Sequence, residues 1–240
     1  TGERFFFVID PDLSFDPLSP DDDAFEIMED IPKGGRKVDN VVVCFAAGTV
    51  IRTKGGRRAV ETLKVGDQVR TENGLATIRM VSHRVITKEE MCDDASLRPV
   101  VIPAGSLGKN IPAKDLTLTG THRIKVCDPG LEWMFGVREA FVQARDLPSA
   151  RPAPIKTTTV VHFLCDEHVV VDANGCTSES LFPGDMALMA LSASDHAEYG
   201  KVIGDRPSQT AYPCLTAREA SVWKKAVQRR EKRTACVGVQ

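Results

Sequence analysis

From Val41 onward, the sequence is a succession of short apolar runs separated by glycine-containing turns. Residues 49–53 and 68–71 are rich in β-branched side chains and are bounded by turn residues, a pattern typical of β-strands. Asn73-Gly74 has the signature of a tight hairpin, because both residues tolerate positive φ. Residues 75–86 form the longer strand that follows. The pattern predicts a mostly-β domain.

The same pattern predicts further strands and leaves two segments without regular structure. The additional predicted strands are residues 59–63, 99–102, 132–135, 156–164 and 186–191, with a strand pair in residues 116–126. The polar residues 88–96 are expected on a surface loop, and residues 105–112 as an irregular crossing. Residues 137–147 fit either a strand with a short turn or one helix.

Composition divides the 240-residue chain into three parts. Residues 10–30 carry nine acidic residues and no basic one, so residues 1–40 are expected to be an acidic, poorly ordered lead-in. Residues 41–195 have the usual size of one domain, and residues 196–240 form an extension.

The extension is predicted to contain a short C-terminal helix. Thr216 and Glu219 have the spacing of a capping box, in which each side chain satisfies a free N–H group at the helix start. Trp223, Ala226 and Val227 would fall on one side, with basic residues over the rest. We expect this helix to dock on the β domain.

The composition also argues against several classes of function. No run of about 18 apolar residues occurs, so we expect no membrane span. The bases near the C-terminus are not interleaved with stacking aromatic residues, so we expect no nucleic-acid binding. The seven cysteines include no C-x-x-C pair, and we expect mostly reduced thiols in a monomer.

The beginning of the chain gives no localisation. It lacks a methionine, and its apolar run at residues 5–9 is too short for a secretory signal. This start predicts a fragment of a longer protein.

Cys44 stands at a junction between three valines and the turn Phe45-Ala46-Ala47-Gly48-Thr49. Further along, residues 116–126 carry Thr119 and His122 in a T-x-x-H pattern. A single cysteine in an apolar run is usually a small buried hydrophobe, and a strand threonine and histidine are common in cores. The chemistry therefore depends on the patterns occurring together.

Together these residues resemble the Hint family of hedgehog C-terminal domains and inteins, in particular its bacterial hedgehog/intein-like branch. The supporting blocks are C-F-A-A-G-T at 44–49, V-E-x-L-x-x-G-D at 60–67, D-L-x-L-x-x-x-H-R at 115–123 and the stretch from His168 through Asn174-Gly175 to Ser180. The resemblance implies a compact, pseudo-two-fold β fold and a secreted or cell-surface bacterial setting. Asn174-Gly175 is read as a turn.

The resemblance also implies autoproteolysis at the Val43–Cys44 bond, with no cofactor. Cys44 would exchange its amide with Val43 for a thioester, and the covalent link that places the thiol can be worth about 7 to 11 kcal/mol. His122 would protonate the departing nitrogen. Thr119 would hydrogen-bond the scissile amide or the imidazole, and His162 would assist the acyl shift.

His162, Cys165 and His168 also suggest zinc ligands. On one strand, however, His162 and His168 would share a face while Cys165 points away. The three would not converge, so we expect no metal site.

The chain departs from splicing inteins at their C-terminal end. Those inteins end in His-Asn, whereas the corresponding place here reads Ser178-Glu179-Ser180, with no asparagine to cyclise. We therefore expect cleavage of the chain's own upstream segment without splicing, with the thioester resolved by water or an external nucleophile.

Two alternatives remain open at this stage. One is a Cys-His hydrolase acting on a separate substrate, which would need an exposed Cys44 thiol of lowered pKa and His122 as its base. The other is a Hint scaffold that has become an inactive binding module.

Overall fold

The computed structural model describes residues 43–182 and 209–237, which all belong to the unit Val38–Gln240. The predictions for residues 1–40 and for a strand at 186–191 lie outside the described residues.

The described part of the chain contains one 13-stranded sheet, which confirms the mostly-β fold class. The strands are β1 (Phe45–Ala46), β2 (Val50–Thr53), β3 (Gly56–Ala59), β4 (Gln68–Thr71), β5 (Gly74–Ile86), β6 (Val100–Ile102), β7 (Leu116–Leu118), β8 (Arg123–Cys127), β9 (Glu139–Gln143), β10 (Arg151–Pro152), β11 (Thr158–Cys165), β12 (Val170–Ala173) and β13 (Cys176–Glu179). The helices are α1 (Lys88–Asp93), α2 (Pro129–Phe135) and α3 (Ala217–Val237).

The sheet order is β10-β6-β7-β1-β11-β5-β4-β2-β12-β13-β8-β9, with β3 paired to β2. The strand pairs are antiparallel. The short β1 lies between β7 and β11, so the residue before it has neighbours on both sides. This position of β1 places Cys44 inside the protein.

The predicted strands at residues 49–53, 68–71 and 75–86 are confirmed as β2, β4 and β5. The hairpin between β4 and β5 exists, but its turn residues are Glu72 and Asn73, because Thr71 pairs with Gly74. Only Gly74 has a positive φ there, at 121°. The Thr71 hydroxyl accepts a hydrogen bond from Asn73 N at 3.2 Å, which stabilises the turn locally.

The turn at Asn174-Gly175 is confirmed, and both residues have positive φ (52° and 83°), as a two-residue hairpin loop requires. The Asn174 side chain accepts a hydrogen bond from Val50 N at 2.8 Å. This turn therefore also ties β12 and β13 to the start of β2.

Two helices form where strand or loop was predicted. Residues 88–96 are not a loop: α1 begins at a capping box, with Glu90 N donating to Thr87 and Thr87 N donating to Glu90, and Met91 is buried. Residues 132–135 are not a strand, because Asp128 caps α2, Pro129 occupies its first turn and Gly136 ends it with φ 69°.

The structure also decides the conformation of two other segments. Residues 137–147 adopt the strand-and-turn alternative, with β9 followed by the 3-10 turn Ala144–Asp146. Residues 59–63 are not a strand, because β3 ends at Ala59 and the 3-10 turn Val60–Thr62 follows. The Leu63 N–H completes that turn by donating to Val60 O.

Residues 209–216, here called the C-terminal arm, lie against β9. Phe141 N donates to Pro213 O at 2.7 Å, and Leu215 N donates to Phe141 O at 2.9 Å. The predicted capping box follows, because Thr216 N donates to Glu219 and Glu219 N donates to Thr216. The arm therefore fixes the start of α3 on the domain.

Helix α3 packs through Ala220 and Trp223, which are 1% and 4% exposed and belong to the main hydrophobic core. Ala226 is exposed, although it was expected on the packed side. None of the described helices is long and apolar enough to span a membrane.

Candidate functional site

The register of β1 brings two predicted residues beside Cys44. Phe45 pairs with Leu118 of β7 and with Val161 of β11. In antiparallel strands the next residues back along β1 are opposite the next residues onward in its partners. Cys44 is therefore flanked by Thr119 on one side and His162 on the other.

The two neighbours bind different atoms of Cys44. Its backbone N–H donates to Thr119 Oγ1 at 2.9 Å, and Thr119 N donates to Cys44 O at 3.0 Å. Its Sγ lies 3.3 Å from Nδ1 of His162. The amide and the thiol of the same residue are thus held by separate side chains.

The Cys44 side chain is completely buried. It belongs to a small apolar cluster whose other members are Ile86, Met91, Leu97 and Val160. Burial raises the pKa of the Cys44 thiol far above its ordinary value, against a smaller lowering effect from Arg84. The thiol is therefore protonated at neutral pH and reacts only if a group in contact removes its proton.

Thr119 and His122 lie in a tight turn between β7 and β8, rather than in a strand as the alternating pattern predicted. His122 N donates to Thr119 O at 3.1 Å, which closes the turn. Two hydrogen bonds from the residues after β9 stabilise this turn. Ala144 N donates to His122 O at 2.7 Å, and Arg145 N donates to Gly120 O at 3.0 Å. The T-x-x-H spacing therefore brings both side chains toward Cys44.

The His122 ring is buried beside the residue that follows Cys44. Its centroid lies 4.3 Å from that of Phe45, with the rings 61° apart. Its Nε2 lies 2.8 Å from Ser178 Oγ and 3.2 Å from Glu179 O. Because a carbonyl oxygen can only accept a hydrogen bond, this contact favours the tautomer with its proton on Nε2.

Burial lowers the pKa of His122 to about 4, although Glu179 and the backbone of Cys44 favour the charged ring. Its Nδ1 is buried without a hydrogen-bond partner of standard geometry among the described residues. The resting ring is therefore neutral, with an unprotonated Nδ1. A nearby negative charge would raise its proton affinity.

The structure gathers the four predicted catalytic residues around one peptide unit. Val43 is 6% exposed and Cys44, Thr119 and His122 are each 2% exposed or less, while His162 is 9% exposed. This burial does not fit the alternative of a hydrolase with an exposed, low-pKa thiol. The imidazole in contact with the sulfur is that of His162, whereas the hydrolase alternative names His122 as the base.

The residues considered for zinc lie in three different places. His162 contacts Cys44, Cys165 belongs to the main core, and His168 Nε2 lies 3.1 Å from Glu179 Oε2. Among the described residues, no group of three or more His, Cys, Asp or Glu side chains could hold a metal ion.

Three residues of the site had no assigned role from sequence. Ser178 and Glu179 were considered only as the place where an intein would carry His-Asn, yet both contact His122. His168 was considered only as a zinc ligand, yet it binds the buried Glu179 carboxylate. The sequence around Glu179 gave no signal of its burial, because its neighbours Thr177, Ser178 and Ser180 are polar.

The sequence model of the Hint domain matches residues 43–185, which is more than half of the chain. The chain therefore belongs to the Hint domain family, a family of self-processing domains that includes inteins. The match begins one residue before Cys44. No curated protein matches the chain.

Solved structures of Hint-type domains are similar to this chain at low sequence identity. An intein-like domain from Clostridium thermocellum is 19% identical, with a TM-score of 0.40, and the match covers 58% of this chain and 99% of that domain. The MchDnaB-1 intein is 12% identical, with a TM-score of 0.38 and coverage of 57% and 99%. The gp41-1 intein is 10% identical, with a TM-score of 0.35 and coverage of 57% and 98%.

Proposed function

We propose that this domain cleaves its own chain at the Val43–Cys44 bond, beginning with an N-to-S acyl shift. The observation that carries the proposal is the environment of Cys44, whose N–H is bound by Thr119 while its sulfur lies on His162. These contacts hold the two atoms that exchange on the Val43 carbonyl carbon, namely the Cys44 nitrogen, which leaves, and the Cys44 sulfur, which attacks.

The first step is activation of the buried thiol. His162 Nδ1, at 3.3 Å, removes the Sγ proton as the sulfur forms a bond to the Val43 carbonyl carbon. Burial opposes formation of a free thiolate, so the thiol cannot simply lose its proton to water. Direct transfer of that proton to the contacting histidine avoids this step.

The second step is departure of the Cys44 nitrogen. Breaking the C–N bond requires a proton on that nitrogen. The resting ring of His122 carries no proton on Nδ1, so it first takes one up there from solvent and then gives it to the nitrogen, while His162 releases the thiol proton to solvent; the net change is one proton moved from Sγ to the nitrogen. The anionic intermediate favours the imidazolium form of His122 beside it. Thr119 holds the Cys44 amide in place through its hydroxyl.

The resulting thioester joins Val43 to the Cys44 sulfur and is resolved by water or by an external nucleophile. Ser178 and Glu179 contact His122, and neither they nor Ser180 can form the cyclic imide by which an asparagine releases a downstream segment. The substrate is thus the chain's own upstream segment, and cleavage is not followed by joining of the flanks. The domain acts as a monomer.

The test is the intact mass of the full chain, incubated with and without hydroxylamine, which intercepts thioesters. We expect hydroxylamine to accelerate formation of two fragments, residues 1–43 and 44–240. Cys44→Ala should abolish this cleavage, because no sulfur remains to accept the acyl group.

Cys165→Ala is the matched control, since it removes another fully buried thiol on the strand that carries His162. It should cleave as the unaltered chain does. A Cys44→Ala chain that still breaks at the same bond, or an unaltered chain that stays intact with hydroxylamine, would contradict the proposal.

A further inference from the structure

Glu179 is a buried carboxylate that the acyl shift itself does not use. Its side chain is 0% exposed. Oε1 accepts from Arg123 N at 2.7 Å, while Oε2 lies 3.1 Å from Arg123 Nη1 and 3.1 Å from His168 Nε2. Burial alone would raise the pKa of Glu179, but the hydrogen bond from His168 and the charge of Arg123 outweigh it, so the pKa lies below its usual value.

His168 is fixed in one orientation by the C-terminal arm. Ala211 N donates to His168 Nδ1 at 3.1 Å. A ring nitrogen that accepts a hydrogen bond carries no proton, so the ring proton lies on Nε2, facing Glu179. The ring is enclosed by Phe141 and Phe182, with centroids 5.4 Å and 5.1 Å away.

The main chain of Glu179 meets the other buried histidine. Its carbonyl oxygen lies 3.2 Å from His122 Nε2, and the neighbouring Ser178 Oγ lies 2.8 Å from the same atom. Any shift of this main chain changes the acceptor that keeps the His122 proton on Nε2. Anchoring the Glu179 side chain therefore also fixes the tautomer of His122, which leaves Nδ1 available toward Cys44.

We propose that Glu179 and His168 are positioning residues for His122, and that Ala211 of the C-terminal arm completes this arrangement. Contacts run in sequence from Ala211 to His168, to Glu179 and to His122. The functional unit thus includes a segment downstream of the residues matched by the Hint family. The kinetic part of this inference rests on the proposed self-cleavage, whereas its spectroscopic part does not.

The test uses the full chain with His168→Phe, which keeps an aromatic ring between Phe141 and Phe182 but cannot donate to Glu179. Imidazole nitrogen NMR should find the His122 proton on Nε2 in the unaltered chain and a mixture of tautomers in the variant. Hydroxylamine-induced cleavage should slow by roughly ten- to hundredfold, the size of loss found when a partner that orients a metal-bound histidine is removed. His83→Gln, at an exposed histidine, should change neither measurement.

A second variant guards against misfolding of the first. Ala211→Pro, at an exposed residue, removes the N–H that orients His168 and fixes the local φ, and it should produce the same two changes in smaller degree. If a folded His168→Phe or Ala211→Pro chain keeps the His122 tautomer and the unaltered cleavage rate, the inference is wrong. If the unaltered chain never cleaves, that result counts against the proposed function. Comparison of the His122 spectra of the unaltered and variant chains would still test the positioning role.

Discussion

The Cys44 sulfur lies 3.3 Å from Nδ1 of His162, although the two residues are 118 positions apart in the sequence. Strand β11 brings them together because Phe45 pairs with Val161. The T-x-x-H turn instead binds the backbone of Cys44. Cys44 is therefore in contact with His162 through its thiol and with Thr119 through its backbone. In the proposed mechanism, His162 accepts the thiol proton and His122 donates a proton to the nitrogen.

Replacing His162 by glutamine should slow cleavage while leaving the fold intact. Glutamine can fill part of the space but cannot take up the thiol proton, and loss of general acid–base help typically costs about 10²- to 10⁴-fold. The rate of fragment formation with hydroxylamine measures this effect. His83→Gln is the matched control, and equal rates for the two variants would remove His162 from the mechanism.

Thr119→Val should lower both stability and the cleavage rate. Valine has nearly the same shape but leaves the buried Cys44 N–H without its acceptor, which costs about 1 to 3 kcal/mol. Urea unfolding measures the free-energy change, and fragment formation measures the rate. Thr119→Ser should restore most of both.

Thr117→Val is the control for the Thr119 substitution, because it makes the same chemical change within β7, two residues before Thr119. It should leave the cleavage rate unchanged. A Thr119→Val chain as stable and as active as this control would show that the hydroxyl is dispensable.

The free energy of unfolding should fall as the pH drops from about 6.5 to about 4. His122 has a pKa of about 4 in the folded protein against an ordinary value of 6.5, so in this window the unfolded chain binds a proton that the folded chain does not. The loss is on the order of 3 kcal/mol in total. Urea unfolding across this pH range measures it.

His122→Gln provides the reference for that pH dependence, because glutamine does not titrate. The unaltered chain should lose stability relative to this variant between pH 6.5 and 4. Glu179, whose pKa is lowered, adds a loss of stability from about pH 4.5 downward, but the His122→Gln chain retains Glu179 as well. Parallel curves for the two chains would contradict a neutral, buried His122.

Met91→Ala should expose Cys44 to reagents. Met91 is 2% exposed and packs in the same apolar cluster as Cys44, so truncation leaves a cavity and costs about 2 to 5 kcal/mol. Alkylation of Cys44, followed by mass spectrometry of its peptide, should become faster. Leu75→Ala, at a half-exposed residue, should change neither stability nor alkylation, and an unchanged alkylation rate in Met91→Ala would contradict the covering role of α1.

The resemblance to the Hint family indicated Cys44, Thr119, His122 and His162, and the structure brings these residues together, but no role had been assigned to Ser178, Glu179 or His168. The T-x-x-H turn is closed locally by the hydrogen bond from His122 N to Thr119 O, and the alternating runs predicted β2, β4 and β5. The residues around Cys44 were harder to place. Their proximity follows from β1 lying between β7 and β11, a pairing of distant segments that no local pattern encodes.

Helices α1 and α2 were not predicted from the sequence. α1 is only six residues long, too short for a hydrophobic period to be visible, and its polar residues resembled a loop. The capping pair Thr87 and Glu90 was the signal that could have revealed it. The contacts of Glu179 with His168 and of His168 with Ala211 depend on tertiary structure and could not be predicted from sequence.

Every described strand begins after the Val43–Cys44 bond, with β1 starting at Phe45. Cutting that bond would therefore sever no strand pairing in the described part of the chain. The described strands should keep in the processed fragment the hydrogen-exchange protection that they have in the precursor. For these strands the proposed cleavage would change covalent connectivity and not pairing, so it would be recorded by mass or by a newly formed amino terminus.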